Sequence, residues 1–79
     1  MTALEAITQI VNERRKQGIY PASASLTGSI LLSGLDVSEF RKQLLQLKRD
    51  GVVTLYQTIN SYNFLLNDTD NKGKDTKQV

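Results

Sequence analysis

A capped helix between two glycines constrains this chain more than any other feature of its sequence. Gly34-Leu35 forms a tight turn, Asp36 follows as a helix N-cap, and Glu39 completes a capping-box pattern three residues later. Apolar residues then recur at helical spacing, which predicts a helix over about 37–50 with one core-facing stripe. Gly51 ends this helix, because glycine readily takes the left-handed conformation that closes a helix. The stripe consists of Val37, Phe40, Leu44 and Leu47.

An amphipathic helix is expected at the start of the chain. Thr2 and Glu5 form a first capping-box pattern, and the apolar spacing after it predicts a helix over about 3–17. The connection that follows contains Ile19 and Tyr20, which are expected to pack against the core. Its proline holds the preceding residue outside the helical region, so the chain changes direction there.

A short helix is expected between this connection and the tight turn. Its apolar run predicts a helix over about 26–33, and either Ser25 or Thr27 suits the N-cap position, since both carry a hydroxyl that can accept from the first free N–H groups. Gly28 weakens this helix somewhat, because glycine loses more backbone entropy than other residues.

Two runs of β-forming residues end the ordered part of the sequence, at 52–57 and 61–66. A two-residue turn would pair Leu55 with Leu66, and a four-residue turn would pair Leu55 with Phe64. Both registers have the same parity, so the same side chains face the core in either one. The sequence therefore predicts a hairpin and leaves its register open.

The composition changes after residue 66. Residues 67–79 contain one apolar residue and alternate in charge, so they cannot bury enough apolar surface to offset the entropy of ordering. The sequence thus predicts one domain over 1–66 and a disordered polar tail over 67–79. The three lysines and three aspartates of the tail cancel, so the net charge of +2 belongs to the domain.

Several classes of function have no support in the residue content. The chain has no cysteine and no histidine, so it lacks thiol nucleophiles, thiolate ligands and the commonest general base. Neither an enzyme nor a bound metal or cofactor is expected. No apolar run approaches the roughly 18–20 residues of a membrane span, and no secretion signal precedes the first helix, so a cytoplasmic location is expected.

The order of elements resembles the winged helix-turn-helix family. In 34–53 the glycine turn and the cap are followed by the basic pair Arg41-Lys42, then by Leu44 and Leu47 as Leu-x-x-Leu, and then by a glycine and an apolar strand. The resemblance covers 3–66 in element order. It implies an α+β fold, a three-helix winged helix-turn-helix with a C-terminal β-hairpin wing. It also implies sequence-specific binding of double-stranded DNA by helix 3 in the major groove.

The side of helix 3 opposite its apolar stripe is polar and basic. Serine reaches several base edges, lysine and arginine suit guanine, and glutamine suits adenine. Lys42 lies at the centre of this side and at the basic position of the family. The candidate DNA-binding residues are Ser38, Arg41, Lys42, Gln46 and Arg49 on helix 3, Arg15 and Lys16 at the end of helix 1, and Gln57, Asn60 and Tyr62 on the wing.

The wing departs from the family pattern, because no lysine or arginine lies between Tyr56 and Tyr62. With a mild net charge, a monomer is expected to bind DNA weakly, and a homodimer would double the contacts. Leu45, Leu65 and Tyr56 are expected to be exposed and available for such pairing, as is the amphipathic first helix. The expected function is that of a small dimeric transcriptional regulator or an accessory protein of a mobile element.

A second interpretation is a winged-helix protein-interaction module that does not bind DNA. The uncharged wing and the exposed leucines favour it. The two interpretations differ in one feature of the surface: acidic side chains at Glu13, Glu39 and Asp50 either interrupt the positive surface or leave it continuous.

Overall fold

Three helices and three short strands form residues 1–67, the part of the chain that this computed structural model describes. The strands make one antiparallel sheet, so the fold is α+β, with three helices beside a three-stranded sheet. In chain order the elements are α1 (Ala3–Lys16), β1 (Ala24–Ser25), α2 (Leu26–Ser33), α3 (Val37–Arg49), β2 (Val53–Gln57) and β3 (Tyr62–Leu66).

The first two helices begin where their caps predict. The Glu5 N–H donates to Thr2 Oγ1 (3.1 Å), and the Thr2 N–H donates to Glu5 Oε1 (2.9 Å), so the first capping box is confirmed. Ser25 caps α2, since its hydroxyl accepts from the Gly28 N–H at 3.0 Å. Gly34 ends α2 at φ +74°, a conformation that residues with a Cβ rarely adopt.

The cap of α3 is confirmed, but the second capping box is not. Asp36 Oδ1 accepts from the Glu39 N–H at 2.7 Å. The Glu39 carboxylate does not return a bond and instead accepts from Gln43 Nε2 at 3.1 Å. Gln43 is oriented by α1, because the Ala3 N–H donates to Gln43 Oε1 at 2.8 Å. A contact between two helices therefore draws Glu39 away from the cap.

The sheet has one strand more than the predicted hairpin. Its order is β1-β3-β2, and β1 pairs with β3 through Ala24 opposite Phe64. Strand β1 has two residues, too few for an alternating pattern in the sequence. Strands β2 and β3 pair with Leu55 opposite Phe64, so the four-residue turn is the one adopted.

The core lies between α1, the two other helices and the sheet. Phe40 and Leu44 of α3 are buried, and Leu47 packs against them. Val37 does not belong to this stripe as predicted, because it is 50% exposed in the first turn of α3, beside the exposed Asp36. The buried apolar residues are Ala3, Ala6, Ile7, Val11, Ala22, Ala24, Phe40, Leu44, Val53 and Phe64.

The two ends of the sheet region differ from the sequence prediction. Ile19 and Tyr20 are exposed rather than packed on the core, and Ala22 is buried there instead. Asn67 continues the strand pairing, since its N–H donates to the Val52 carbonyl oxygen at 2.8 Å. The rest of the predicted disordered tail, 68–79, lies outside the described residues.

Within 1–67, no helix has the length and apolar character needed to cross a membrane.

Candidate nucleic-acid interface

One side of α3 faces away from the body of the protein and carries four of its exposed side chains. At about 100° per residue, this side lies opposite the buried Phe40. The centre of the side is Lys42, whose side chain is 78% exposed. We call this side the α3 face; it consists of Ser38, Lys42, Leu45 and Arg49.

The position of the α3 face is fixed from the opposite side of the helix. Phe40 is fully buried and Leu44 nearly so, and both belong to the main hydrophobic cluster. The bond between the Ala3 N–H and Gln43 Oε1 ties the middle of α3 to the start of α1. Burial of side chains of this size contributes about 1.5–3 kcal/mol each, so the helix cannot rotate without losing a large part of the stability.

Lys42 has an acidic neighbour. Its Nζ lies 4.0 Å from Glu39 Oε1, and the two side chains are 78% and 45% exposed. An exposed pair of this kind contributes about 0–1 kcal/mol, so Lys42 can leave Glu39 for another anion at little cost. Glu39 nevertheless adds a negative charge to the border of the α3 face and lowers its positive potential.

The two other predicted residues of α3 border the α3 face. Arg41 is exposed beside it. Gln46 is exposed on the side that faces α1, where it borders an apolar groove of about 230 Å³ together with Leu4. Its amide donates to Asp50 Oδ1 at 3.0 Å, so Gln46 is engaged within its own helix.

The basic residues of α1 lie away from the hairpin turn. Arg15 borders a groove of about 310 Å³ together with Tyr20 and Asn67, at the carboxyl end of β3. The hairpin turn lies at the other end of that strand, about 14 Å away at 3.4 Å per residue. Lys16, the next residue, is exposed. The structure therefore does not bring Arg15 together with the predicted residues of the hairpin.

The hairpin turn is braced by its own hydroxyl groups. The Thr58 N–H donates to the Ser61 carbonyl oxygen at 2.9 Å. Thr58 Oγ1 accepts from the Ser61 N–H at 3.1 Å and lies 3.0 Å from Ser61 Oγ. This bonding leaves Gln57, Asn60 and Tyr62 exposed around the turn, as the sequence predicts.

One residue of this surface was not singled out from the sequence. Ile59 is 99% exposed at the hairpin turn, and its only sequence signal is an apolar residue that interrupts a polar turn. The stretch from 52 to 67 contains no charged residue, so every charge of the described chain lies in or next to α1 and α3. The hairpin consequently offers hydrogen bonds and apolar contacts to a partner, but no ion pairs.

No group of three or more acidic side chains in 1–67 is placed to hold a metal ion. Comparison with protein-family models, with curated proteins and with solved structures gave no match. The chemistry of the α3 face and of the hairpin is therefore the guide to function.

Proposed function

We propose that this chain is a winged helix-turn-helix protein that binds double-stranded DNA sequence-specifically, with α3 in the major groove. It acts as a small dimeric transcriptional regulator or as an accessory protein of a mobile element. The observation that carries the proposal is the α3 face, an exposed surface with two cationic side chains, centred on Lys42, on a helix whose opposite side is buried.

The dimensions of α3 support this proposal. Its 13 residues span about 20 Å, and a helix of ordinary diameter enters the roughly 12 Å wide major groove. Lys42 and Arg49 can donate to guanine, and Ser38 can donate to or accept from several bases. The preceding helix α2 ends at Ser33 and leaves a two-residue turn, Gly34-Leu35, before Asp36, which suits a helix-turn-helix arrangement.

The β2–β3 hairpin takes the place of the wing. Asn60 and Tyr62 can donate to phosphate oxygens, but they do so without a charge. The salt dependence of binding therefore comes from the basic residues of α3 and α1. These residues can neutralise about 4–6 phosphates per chain. Each neutralised phosphate contributes about −0.9 to the slope of log affinity against log salt concentration.

Fluorescence anisotropy with a mixed-sequence duplex of about 25 base pairs tests the proposal. At roughly 50 mM salt, micromolar binding is expected, and at roughly 200 mM the affinity should fall by about 10²–10³-fold. Absence of binding at the lower salt concentration would contradict the proposal.

Alanine variants of two lysines of α3 distinguish base recognition by the α3 face from nonspecific electrostatic attraction to DNA. Lys42→Ala should lower the affinity for a specific site by about tenfold, because a base contact is worth roughly 1–3 kcal/mol. Lys48→Ala removes the same charge from a position roughly 120° around the helix and should change it far less. Equal losses in the two variants would exclude the α3 face as the reading surface. Thermal unfolding should be the same for both, since both lysines are exposed.

A protein-interaction module is the second candidate function. Three observations favour it: Glu39 lies next to Lys42, Leu45 is 55% exposed within the α3 face, and the hairpin is uncharged. A duplex that fails to bind at low salt would turn attention to this candidate.

A further inference from the structure

Strand β2 lies at an edge of the sheet. The order β1-β3-β2 gives β2 one neighbour, to which it is paired from Val53 to Gln57. No strand within residues 1–67 pairs with its other side. An edge of this kind presents a row of backbone N–H and C=O groups that can pair with another chain.

Two hydrogen bonds show which residues of β2 point toward β3. At one end of the ladder, the Asn67 N–H donates to the Val52 carbonyl oxygen, and at the other end the Thr58 N–H donates to the Ser61 carbonyl oxygen. In an antiparallel ladder the pairing alternates from residue to residue. The even-numbered residues of the strand therefore bond to β3.

The odd-numbered residues consequently point their backbone groups to the free edge. These residues are Val53, Leu55 and Gln57, which form the non-hydrogen-bonded pairs of the ladder with β3. The three residues are evenly spaced, with Leu55 at the centre. A second strand that runs antiparallel can satisfy all of these groups at once.

The edge lacks three of the features that commonly prevent pairing. Natural edge strands are protected by charged residues, prolines or bulges. Strand β2 has neither a charge nor a proline, and its pairing with β3 runs without a bulge. Two apolar side chains, Tyr56 and Leu55, are partly exposed on its opposite faces, and Leu55 is 38% exposed.

We infer that β2 pairs with β2 of a second copy of this chain, antiparallel and about a two-fold axis at Leu55. The arrangement is self-complementary: Leu55 lies opposite its own copy, and Val53 lies opposite Gln57 of the second copy. About six new backbone hydrogen bonds form, and the two sheets become one. This inference rests on the proposed function, because it gives the interface of the dimer proposed there. The interface is β2 rather than α1, and the dimer forms without DNA.

A second copy fits this edge well because the two strands are identical and uncharged. A two-fold axis places the residue on the axis opposite its own copy, so a charge at that position would meet the same charge. In β2 the meeting residues are leucine with leucine and valine with glutamine, which carry no repulsion.

Opposite charges at Leu55 test this arrangement. In sedimentation velocity without DNA at about 50 μM, the parent chain should be a dimer, and Leu55→Lys and Leu55→Glu should each be monomers, because like charges directly opposite repel. Their dimer dissociation constants should rise at least about tenfold. An equal mixture of the two variants should form a heterodimer, since the opposite charges then meet at the axis. Ile59→Lys is the matched control, which adds the same charge at the turn and should leave the dimer unchanged.

Three results would overturn the inference. The first is a monomeric parent chain, which would leave the edge to an extended segment of another protein. The second is a dimer that survives both charges at Leu55. The third is a mixture that stays monomeric although each variant shows the circular dichroism spectrum of the parent.

A proline variant gives an independent test that leaves Leu55 in place. Gln57→Pro removes an N–H that points to the free edge, and proline is tolerated at such positions of edge strands. The variant should keep its circular dichroism spectrum and dimerise at least about tenfold more weakly. A folded variant with the dissociation constant of the parent would contradict the pairing. Because none of these measurements contains DNA, failure of the dimer and failure of DNA binding are seen separately.

Discussion

At the scale of single residues, two buried serines of α2 differ in their hydrogen bonding. Ser33 Oγ donates to the Ile30 carbonyl oxygen at 2.8 Å and accepts from the Leu35 N–H at 3.1 Å. Ser29 is fully buried, and within residues 1–67 its Oγ has no hydrogen-bond partner. A buried hydroxyl without a partner lowers stability by about 1–3 kcal/mol, so one serine supports the fold while the other weakens it.

The two serines are therefore expected to respond to alanine in opposite directions. Ser29→Ala should raise the free energy of unfolding by about 1 kcal/mol, which corresponds to roughly 4–8 °C in Tm for a domain of this size. Ser33→Ala should lower it by a similar amount, since the Leu35 N–H loses its acceptor. Thermal unfolding followed by circular dichroism measures both. A loss of stability in Ser29→Ala would show that its hydroxyl is bonded in solution.

At the scale of the elements, α3 depends on its N-cap residue for a defined start. Asp36 supplies the cap, and no reciprocal bond from Glu39 supports it. Asp36→Ala should lower the free energy of unfolding by about 1 kcal/mol, because one N–H at the start of the helix loses its acceptor.

Replacement by serine separates the cap from the charge. Asp36→Ser keeps an oxygen acceptor at this position and should retain most of the stability in urea denaturation. A serine variant as unstable as the alanine variant would mean that the aspartate acts through its charge and the helix dipole instead.

The helices could be predicted closely because their signals are local. Thr2 and Ser25 act on N–H groups three residues away, and Gly34 fixes its own φ. Strand β1 had no such signal, because its two residues are extended only through pairing with Phe64, about 40 residues further along the chain. The hairpin register could not be chosen from the sequence either, since both loop lengths keep the same side chains on the core side.

The candidate site was predictable to the same extent. The α3 face follows from helical periodicity alone, and Lys42 lies where that periodicity places it. The separation of Arg15 from the hairpin turn depends on how α1 packs on the sheet, which no local pattern contains. The bond from Gln43 to Glu39 likewise depends on the start of α1.

At the scale of the whole molecule, the charged residues and the sheet occupy separate parts of the described chain. The described basic and acidic residues lie in or beside α1 and α3, and the stretch from 52 to 67 carries none. The proposed DNA contacts are thus electrostatic, while the proposed pairing of β2 relies on backbone hydrogen bonds and apolar contact. Salt screens the first kind of interaction and leaves the second nearly unchanged.

Ionic strength should therefore separate the two processes. Between roughly 50 and 200 mM salt, where DNA affinity is expected to fall by about 10²–10³-fold, the dimer dissociation constant should change by less than about threefold. Sedimentation velocity without DNA at both salt concentrations provides the measurement. A dimer that dissociates over this range would be held by charged residues, which points to α1 rather than to β2.

The exposure of Ile59 makes the hairpin turn a natural place for a reporter group. Its side chain is 99% exposed and the turn is held by Thr58 and Ser61, so a substituent there disturbs neither the core nor the backbone. The chain contains no cysteine, and Ile59→Cys would introduce a single thiol. A maleimide dye attached to that thiol would report the surroundings of the turn alone, in the free chain and beside a duplex.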